Sequence, residues 1–192
     1  SAWEPVLPVT DLLSVSGYAL ELEEMSALGS FCTIVENAKT AIQNAAKAGI
    51  HIIISTGRPF NGIPFEQIKD TGIRYAITAN GSGIYEIDSQ TSLFESCLPN
   101  EVTFPILDFL NTKEVHMDAF IDGKGVSPYK CIQTGRNLPI PKHLIRYIVD
   151  SRIRVDDLKE YLTDNHLEMQ KMTINFLKAE NGVLKYREEV KS

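Results

Sequence analysis

Cysteine, basic residues and long apolar runs are all in short supply in this chain, and each shortage closes off a class of protein. The three cysteines, Cys32, Cys97 and Cys131, are widely separated, form no CxxC pair and leave an odd one, so neither a disulfide framework nor a zinc site is indicated. A reducing cytoplasm is the simplest compartment for such a chain. No apolar segment approaches the length of a bilayer span, and residues 1–35 lack the basic start and long apolar core of a signal peptide, so no membrane partner is expected. Basic residues are outnumbered, with 19 Lys and Arg against 25 Asp and Glu and a net charge of −6. That balance argues against nucleic acid, which calls for a basic stripe. An anionic ligand would depend on local cations rather than on the overall field. The four histidines, His51, His116, His143 and His166, show no metal-ligand spacing.

What is present is enough for one medium domain, or a core with a partial second module: 192 residues, 43% hydrophobic and 23% charged. The most informative stretch is His51-Ile52-Ile53-Ile54-Ser55-Thr56-Gly57-Arg58-Pro59. A β-branched run bounded by turn residues reads as a fully buried strand, and its carboxyl end is where open α/β sheets bind ligands. Gly57 permits a tight turn, Thr56 supplies a hydroxyl and free N–H groups, and Arg58 offers a planar donor fork matched to phosphate oxygens. Taken alone, the tripeptide fits a plain turn with a surface arginine about as well. A second copy, Thr134-Gly135-Arg136, follows Cys131-Ile132-Gln133 rather than a long apolar strand, and is not expected to bind anything.

The flanks favour the phosphate reading. Asn37 to Ala48 has helical apolar spacing at Ala38, Ala41, Ile42, Ala45 and Ala48, with Gly49 as a C-cap. After the strand come a short helix around Phe65 to Lys69, a second apolar strand over Tyr75 to Ala79, and then Asn80-Gly81. Strand, helix, strand implies a parallel βαβ unit whose strands end on one side of the sheet, bringing Thr56, Arg58 and Asn80 towards one crevice. Asp88-Ser89-Gln90 breaks the pattern and sets an expected boundary near residues 86–90. Beyond it, Leu93 to Leu98 reads as a strand, Val102 to Leu110 as a helix and Val115 to Ile121 as an alternating strand. Asp122-Gly123 reads as a hairpin turn, His143 to Val149 and Val155 to Leu162 as helices, and Met169 to Leu177 as another strand. Asp156 and Asp157 sit in the first turn of their helix, where its dipole favours them. Residues 1–35 follow no clear pattern: Pro5 and Pro8 exclude a regular early helix, and Leu12, Leu13 and Val15 allow a short strand.

The runs AAKAGIHIIISTGRPF and GIRYAITANGSGIYE, continued by FIDGKGVSPY and SRIRVDDLKEYL, resemble the Cof-type branch of the haloacid dehalogenase-like hydrolases, across roughly residues 36 to 190. The resemblance implies an α/β fold: a Rossmann-like parallel-sheet core fragment over residues 1–87, followed by a partial α/β cap domain over 88–192. It implies a Mg²⁺-dependent phosphatase of small phosphorylated metabolites, in which Thr56 binds the transferring phosphoryl group and Gly57, Arg58, Asn80 and Gly81 lie beside it. The family's nucleophile comes from a DxDGT motif closing an earlier strand, and no DxD precedes Thr56. Glu21 and Glu23 stand near that position, each one methylene longer than aspartate, which suits neither in-line attack nor octahedral Mg²⁺. A rival alignment on Asp11-Leu12-Leu13 lacks a preceding apolar strand. The family's later lysine and GDxxND motif have no counterpart either: Lys185 lies in a tail of mixed charge with no motif around it. The two readings are an incomplete Mg²⁺-dependent phosphomonoester hydrolase and a catalytically silent protein binding phosphate or a partner, and the expectation for the isolated chain is negligible phosphatase activity. An open sheet edge leaves room for a homo-oligomer.

Overall fold

A computed structural model of the protein describes residues 36–191, so the readings on Glu21, Glu23 and the rest of residues 1–35 lie outside the described residues. The chain divides between Glu95 and Ser96 into two compact units, both α/β.

The first unit opens with helix α1 (Glu36–Lys47). It ends on Gly49, whose φ of +84° is open to glycine at no steric cost. There the Ile50 N–H donates to the Ala45 carbonyl and the Gly49 N–H to the Ala46 carbonyl, the paired bonds of a Schellman motif. Strand β1 is short (Ile53–Ser55) and pairs in parallel with β2 (Tyr75–Thr78), Ile53 opposite Tyr75 and Ser55 opposite Ile77. Helix α2 (Phe65–Ile68) lies between them in sequence, so the expected βαβ unit is present. β3 (Gly83–Glu86) and β4 (Thr91–Glu95) complete the order β1-β2-β3-β4 as antiparallel neighbours. The core of this unit gathers Ile52, Phe60, Ile63, Ile68, Ile73, Ala76, Tyr85 and Ile87.

Two sequence readings need correction here. The isoleucine run is not a fully buried strand: Ile52 is buried, whereas Ile53 and Ile54 are only half-buried. Asp88-Ser89-Gln90 is the loop of the β3–β4 hairpin, with Gln90 at a φ of 54°, and the strand after it belongs to the first sheet. The division between units therefore falls after Glu95 rather than at residues 86–90.

The second unit is built on a sheet of order β7-β6-β5-β8. β5 (Val115–Ile121) is central and antiparallel to both β6 (Lys124–Pro128) and β8 (Lys171–Phe176), while β6 and β7 (Ile153–Val155) run parallel. Asp122 and Gly123, at φ of 49° and 67°, form the expected tight turn between β5 and β6. Every β5 residue is buried, so its alternation separates two covered faces rather than an inner and an outer one. Val115, Met117, Ala119 and Ile121 pack with Leu107 and Leu110 of α3 (Asn100–Asn111) and with Leu158 and Leu162 of α6 (Leu158–Asp164). His116, Asp118 and Phe120 face the other way. On that side lie α4 (Cys131–Arg136) and α5 (Lys142–Asp150): Gly135 of α4 approaches His116 so closely that a Cβ there would stand 2.7 Å from the ring. A last short helix, α7 (Arg187–Lys191), sets Val190 against the same core as α3. Among the described residues no helix is long and apolar enough to cross a membrane.

Candidate functional site

Thr56, Gly57 and Arg58 form the loop leaving β1, and Ala79, Asn80 and Gly81 form the turn leaving β2, so both sit at the carboxyl ends of the parallel pair. The backbone laces the two loops together. The Thr56 N–H donates to the Ile77 carbonyl at 2.9 Å, extending the ladder one residue past β1. The Ala79 N–H then donates to the Arg58 carbonyl at 2.9 Å and the Asn80 N–H to the Thr56 carbonyl at 3.3 Å. Within the first loop the Arg58 N–H donates to the Thr56 hydroxyl oxygen at 3.2 Å. Thr56 and Arg58 are half-buried, whereas Gly57, Asn80 and Gly81 are exposed. The structure thus brings together, at backbone level, the five residues singled out in the sequence.

Aromatic packing fixes the far end of the first loop. Phe60, next after Pro59, stacks on Tyr85 with ring centroids 4.3 Å apart and planes at 17°, and meets Phe65 edge-on at 5.0 Å. The Tyr85 hydroxyl donates to Glu95 Oε1 at 3.0 Å, tying this anchor to β4. Such offset ring pairs contribute about 0.5–1.5 kcal/mol beyond their buried area. The turn after β2 is strained: Ala79, Asn80 and Gly81 take φ of 51°, 60° and 103° in succession. A non-glycine residue held there costs of order 1–3 kcal/mol and persists only where its surroundings over-determine it. No sequence signal marked Ala79, because alanine carries no local preference for a left-handed backbone.

A hydroxyl, a guanidinium and a carboxamide on two turns can grip an oxyanion by hydrogen bonds and one positive charge. They are a poor set for Mg²⁺, which binds through carboxylate and other hard oxygen ligands in octahedral geometry. Among the described residues no group of three or more His, Cys, Asp or Glu side chains is placed to hold a metal. The described donors of this site therefore do not fit the ion that the family resemblance implies, and Glu21 and Glu23 lie outside the described residues.

The second Thr-Gly-Arg tripeptide, Thr134 to Arg136, is the last turn of α4, with Gly135 buried against His116, and is no phosphate loop. Sequence reasoning missed the buried polar group beneath it. There Arg152 Nε lies 3.3 Å from Asp118 Oδ1, and the Arg152 guanidinium sits 4.8 Å from the Tyr147 ring centroid and 5.6 Å from that of Phe120. The one available signal was the alternation of His116, Asp118 and Phe120 along β5.

A parallel β-α-β unit with polar loops at its strand ends defines the α/β class that binds ligands at the carboxyl edge of the sheet. The particular family follows from comparison: the profile of the haloacid dehalogenase-like hydrolases matches residues 28–192, and the chain belongs to that family. Among solved structures it is similar to a haloacid dehalogenase-like hydrolase from Bacillus subtilis, with 15% identity and a TM-score of 0.60 over 80% of this chain and 59% of that one. It is also similar to a sugar phosphatase of subclass IIB of the superfamily, with 20% identity and a TM-score of 0.56 over 83% and 55%. A third likeness is to a phosphatase of the superfamily from Bacteroides thetaiotaomicron, with 16% identity and a TM-score of 0.53 over 78% and 51%. At these identities the likeness establishes the fold. The chain spans between 51 and 59% of the length of these three structures. No curated protein is significantly similar to it in sequence.

Proposed function

We propose that this chain carries the phosphate-gripping part of a Cof-type phosphomonoester hydrolase of small phosphorylated metabolites, and that by itself it binds the phosphoryl group without turning it over. Thr56 and Arg58 hold the anion, the backbone of Gly57 and Gly81 and the side chain of Asn80 complete the cradle, and the second unit serves as the substrate-choosing cap of this lineage. The observation that supports this reading is the lacing of the two loops at adjacent parallel strand ends. Silence in turnover is supported by a sequence with no DxD before Thr56. A cytoplasmic setting is supported by a sequence whose three cysteines are widely separated, odd in number and without a CxxC pair. Homo-oligomerisation through an open sheet edge remains part of the proposal, with β4 as its most exposed strand.

Titration of the full chain with orthophosphate, followed by amide chemical shifts, tests the binding half. The expected result is saturable binding centred on residues 56–58 and 79–81, weakened about tenfold in Thr56→Ala, the size of one charge-assisted hydrogen bond. An unresponsive wild type defeats the proposal. Incubation with a generic phosphomonoester and Mg²⁺ tests the other half, and turnover abolished by Thr56→Ala or Glu21→Ala would show the chain to be an enzyme in its own right.

A further inference from the structure

We infer that Ala79 is a positioning residue: its left-handed backbone bends residues 79–81 into an arch that clamps the Thr56–Arg58 loop and presents the Asn80 carboxamide beside it. This rests on the phosphate-binding reading and extends it to a residue that touches no ligand. Three successive residues at φ of 51°, 60° and 103° form a conformation L-residues avoid. Asn80 is of a residue type enriched several-fold at positive φ, and Gly81 lacks a Cβ. Ala79 has neither excuse, and it is buried at 1% exposure, so its methyl group is packed rather than free to relax.

What holds Ala79 in place is the rest of the arch. Before it, β2 ends at Thr78, which is paired with Gly83 and whose hydroxyl donates to the Gly83 carbonyl at 3.3 Å. After it, the Ser82 N–H donates back to the Ala79 carbonyl at 3.4 Å. Between these fixed points the N–H groups of Ala79 and Asn80 can reach only one way, towards the carbonyls of Arg58 and Thr56, which they bond. The two loops consequently form one body. The Asn80 side chain is exposed and makes no hydrogen bond among the described residues, which leaves its carboxamide available to an oxyanion at the loop beside it. Donors held in place before the ligand arrives lose less freedom on binding, so strain retained at Ala79 is repaid as affinity rather than as stability.

The test compares the full wild-type chain with Ala79→Gly by thermal melting, amide hydrogen exchange and orthophosphate titration. Glycine accepts the left-handed backbone without strain but gives up the packed methyl and gains freedom in the unfolded chain, so the melting temperature serves only to show that the variant folds. Its Asn80 amide should exchange faster, and its affinity for orthophosphate should fall about tenfold, as expected for donors displaced by a fraction of an ångström. Unchanged Asn80 exchange together with wild-type affinity overturns the inference. Asn80→Gly keeps the arch and removes the carboxamide, and should lose affinity while the Ala79 amide stays protected; retained affinity here overturns the role given to Asn80. If wild type binds no orthophosphate, the functional proposal falls, and the arch is then decided by exchange alone, with a faster Asn80 amide in Ala79→Gly supporting it and an unchanged one refuting it.

Discussion

Protonation of His116 is opposed by everything around it except one carboxylate. Its side chain is fully buried, Nδ1 faces the Asn175 carboxamide nitrogen at 3.4 Å, and Nε2 lies 3.8 Å from Asp118 Oδ1. Burial is the largest influence and, with Arg154 and Arg152, holds the imidazole below its ordinary value of 6.5, while Asp118 pulls the other way. The folded chain therefore keeps His116 neutral where an unfolded chain would take up a proton. Stability from this residue is complete above 6.5 and falls as the pH drops through that value towards the lowered folded one. The melting temperature of the second unit is expected to decrease between about pH 7.5 and about pH 5.5, and His116→Asn to flatten that slope. A slope that His116→Asn leaves untouched would assign the dependence to other groups. None of this was readable from the sequence, in which His116 is one histidine among four without ligand spacing; its character comes from α4 lying over it with a glycine at the contact.

Elements with a local chemical signal were legible, and those without one were not. Val115 to Ile121 is legible at its full length because Val115 to Ala119 alternate and Phe120 and Ile121 continue in β-favouring apolar residues, and Asp122-Gly123 because that pair favours positive φ at both positions. β7, with three residues, is too short to show a period, and α4 holds a threonine and a glycine that weaken any helical pattern. The Thr56–Arg58 tripeptide differs from its copy in what precedes each, an isoleucine run in one case and Cys131-Ile132-Gln133 in the other. The helix read over Val155 to Leu162 begins later, at Leu158, because Val155 belongs to β7 and Asp157 is the N-cap. Asp157 Oδ1 accepts the Lys159 N–H at 2.7 Å and the Glu160 N–H at 3.1 Å, satisfying two donors of the first turn. Asp157→Ala should destabilise the second unit by about 0.5–2 kcal/mol in urea denaturation, with Asp157→Asn recovering most of the loss. Equal losses in the two variants would show that the cap bonds contribute nothing separable.

At the scale of the whole molecule, the α/β class followed from one parallel β-α-β pattern, whereas the division of the chain did not follow from composition. The polar triplet that suggests a boundary is a hairpin loop, and only pairing between β3 and β4, which no single stretch of sequence encodes, assigns the later strand to the first sheet. The division has an energetic consequence, because each unit has its own buried cluster: Ile68 belongs to the first with Ala76 and Tyr85, and Leu162 to the second with Met117 and Leu107. Truncating either side chain to alanine removes buried methyl groups and leaves a cavity, at about 2–5 kcal/mol each. Among the described residues the two clusters have no member in common, so the losses in the double variant should add to within about 0.5 kcal/mol. Native-state hydrogen exchange gives the sharper readout. Leu162→Ala should speed exchange along β5 and β8 while the amides of Ala76 and Tyr85 keep their wild-type protection, and Ile68→Ala should do the reverse. If Leu162→Ala loosened β2 and β3 as much as its own sheet, the chain would unfold as one cooperative body, and the Thr56–Arg58 loop could not be treated as the property of a separately stable first unit.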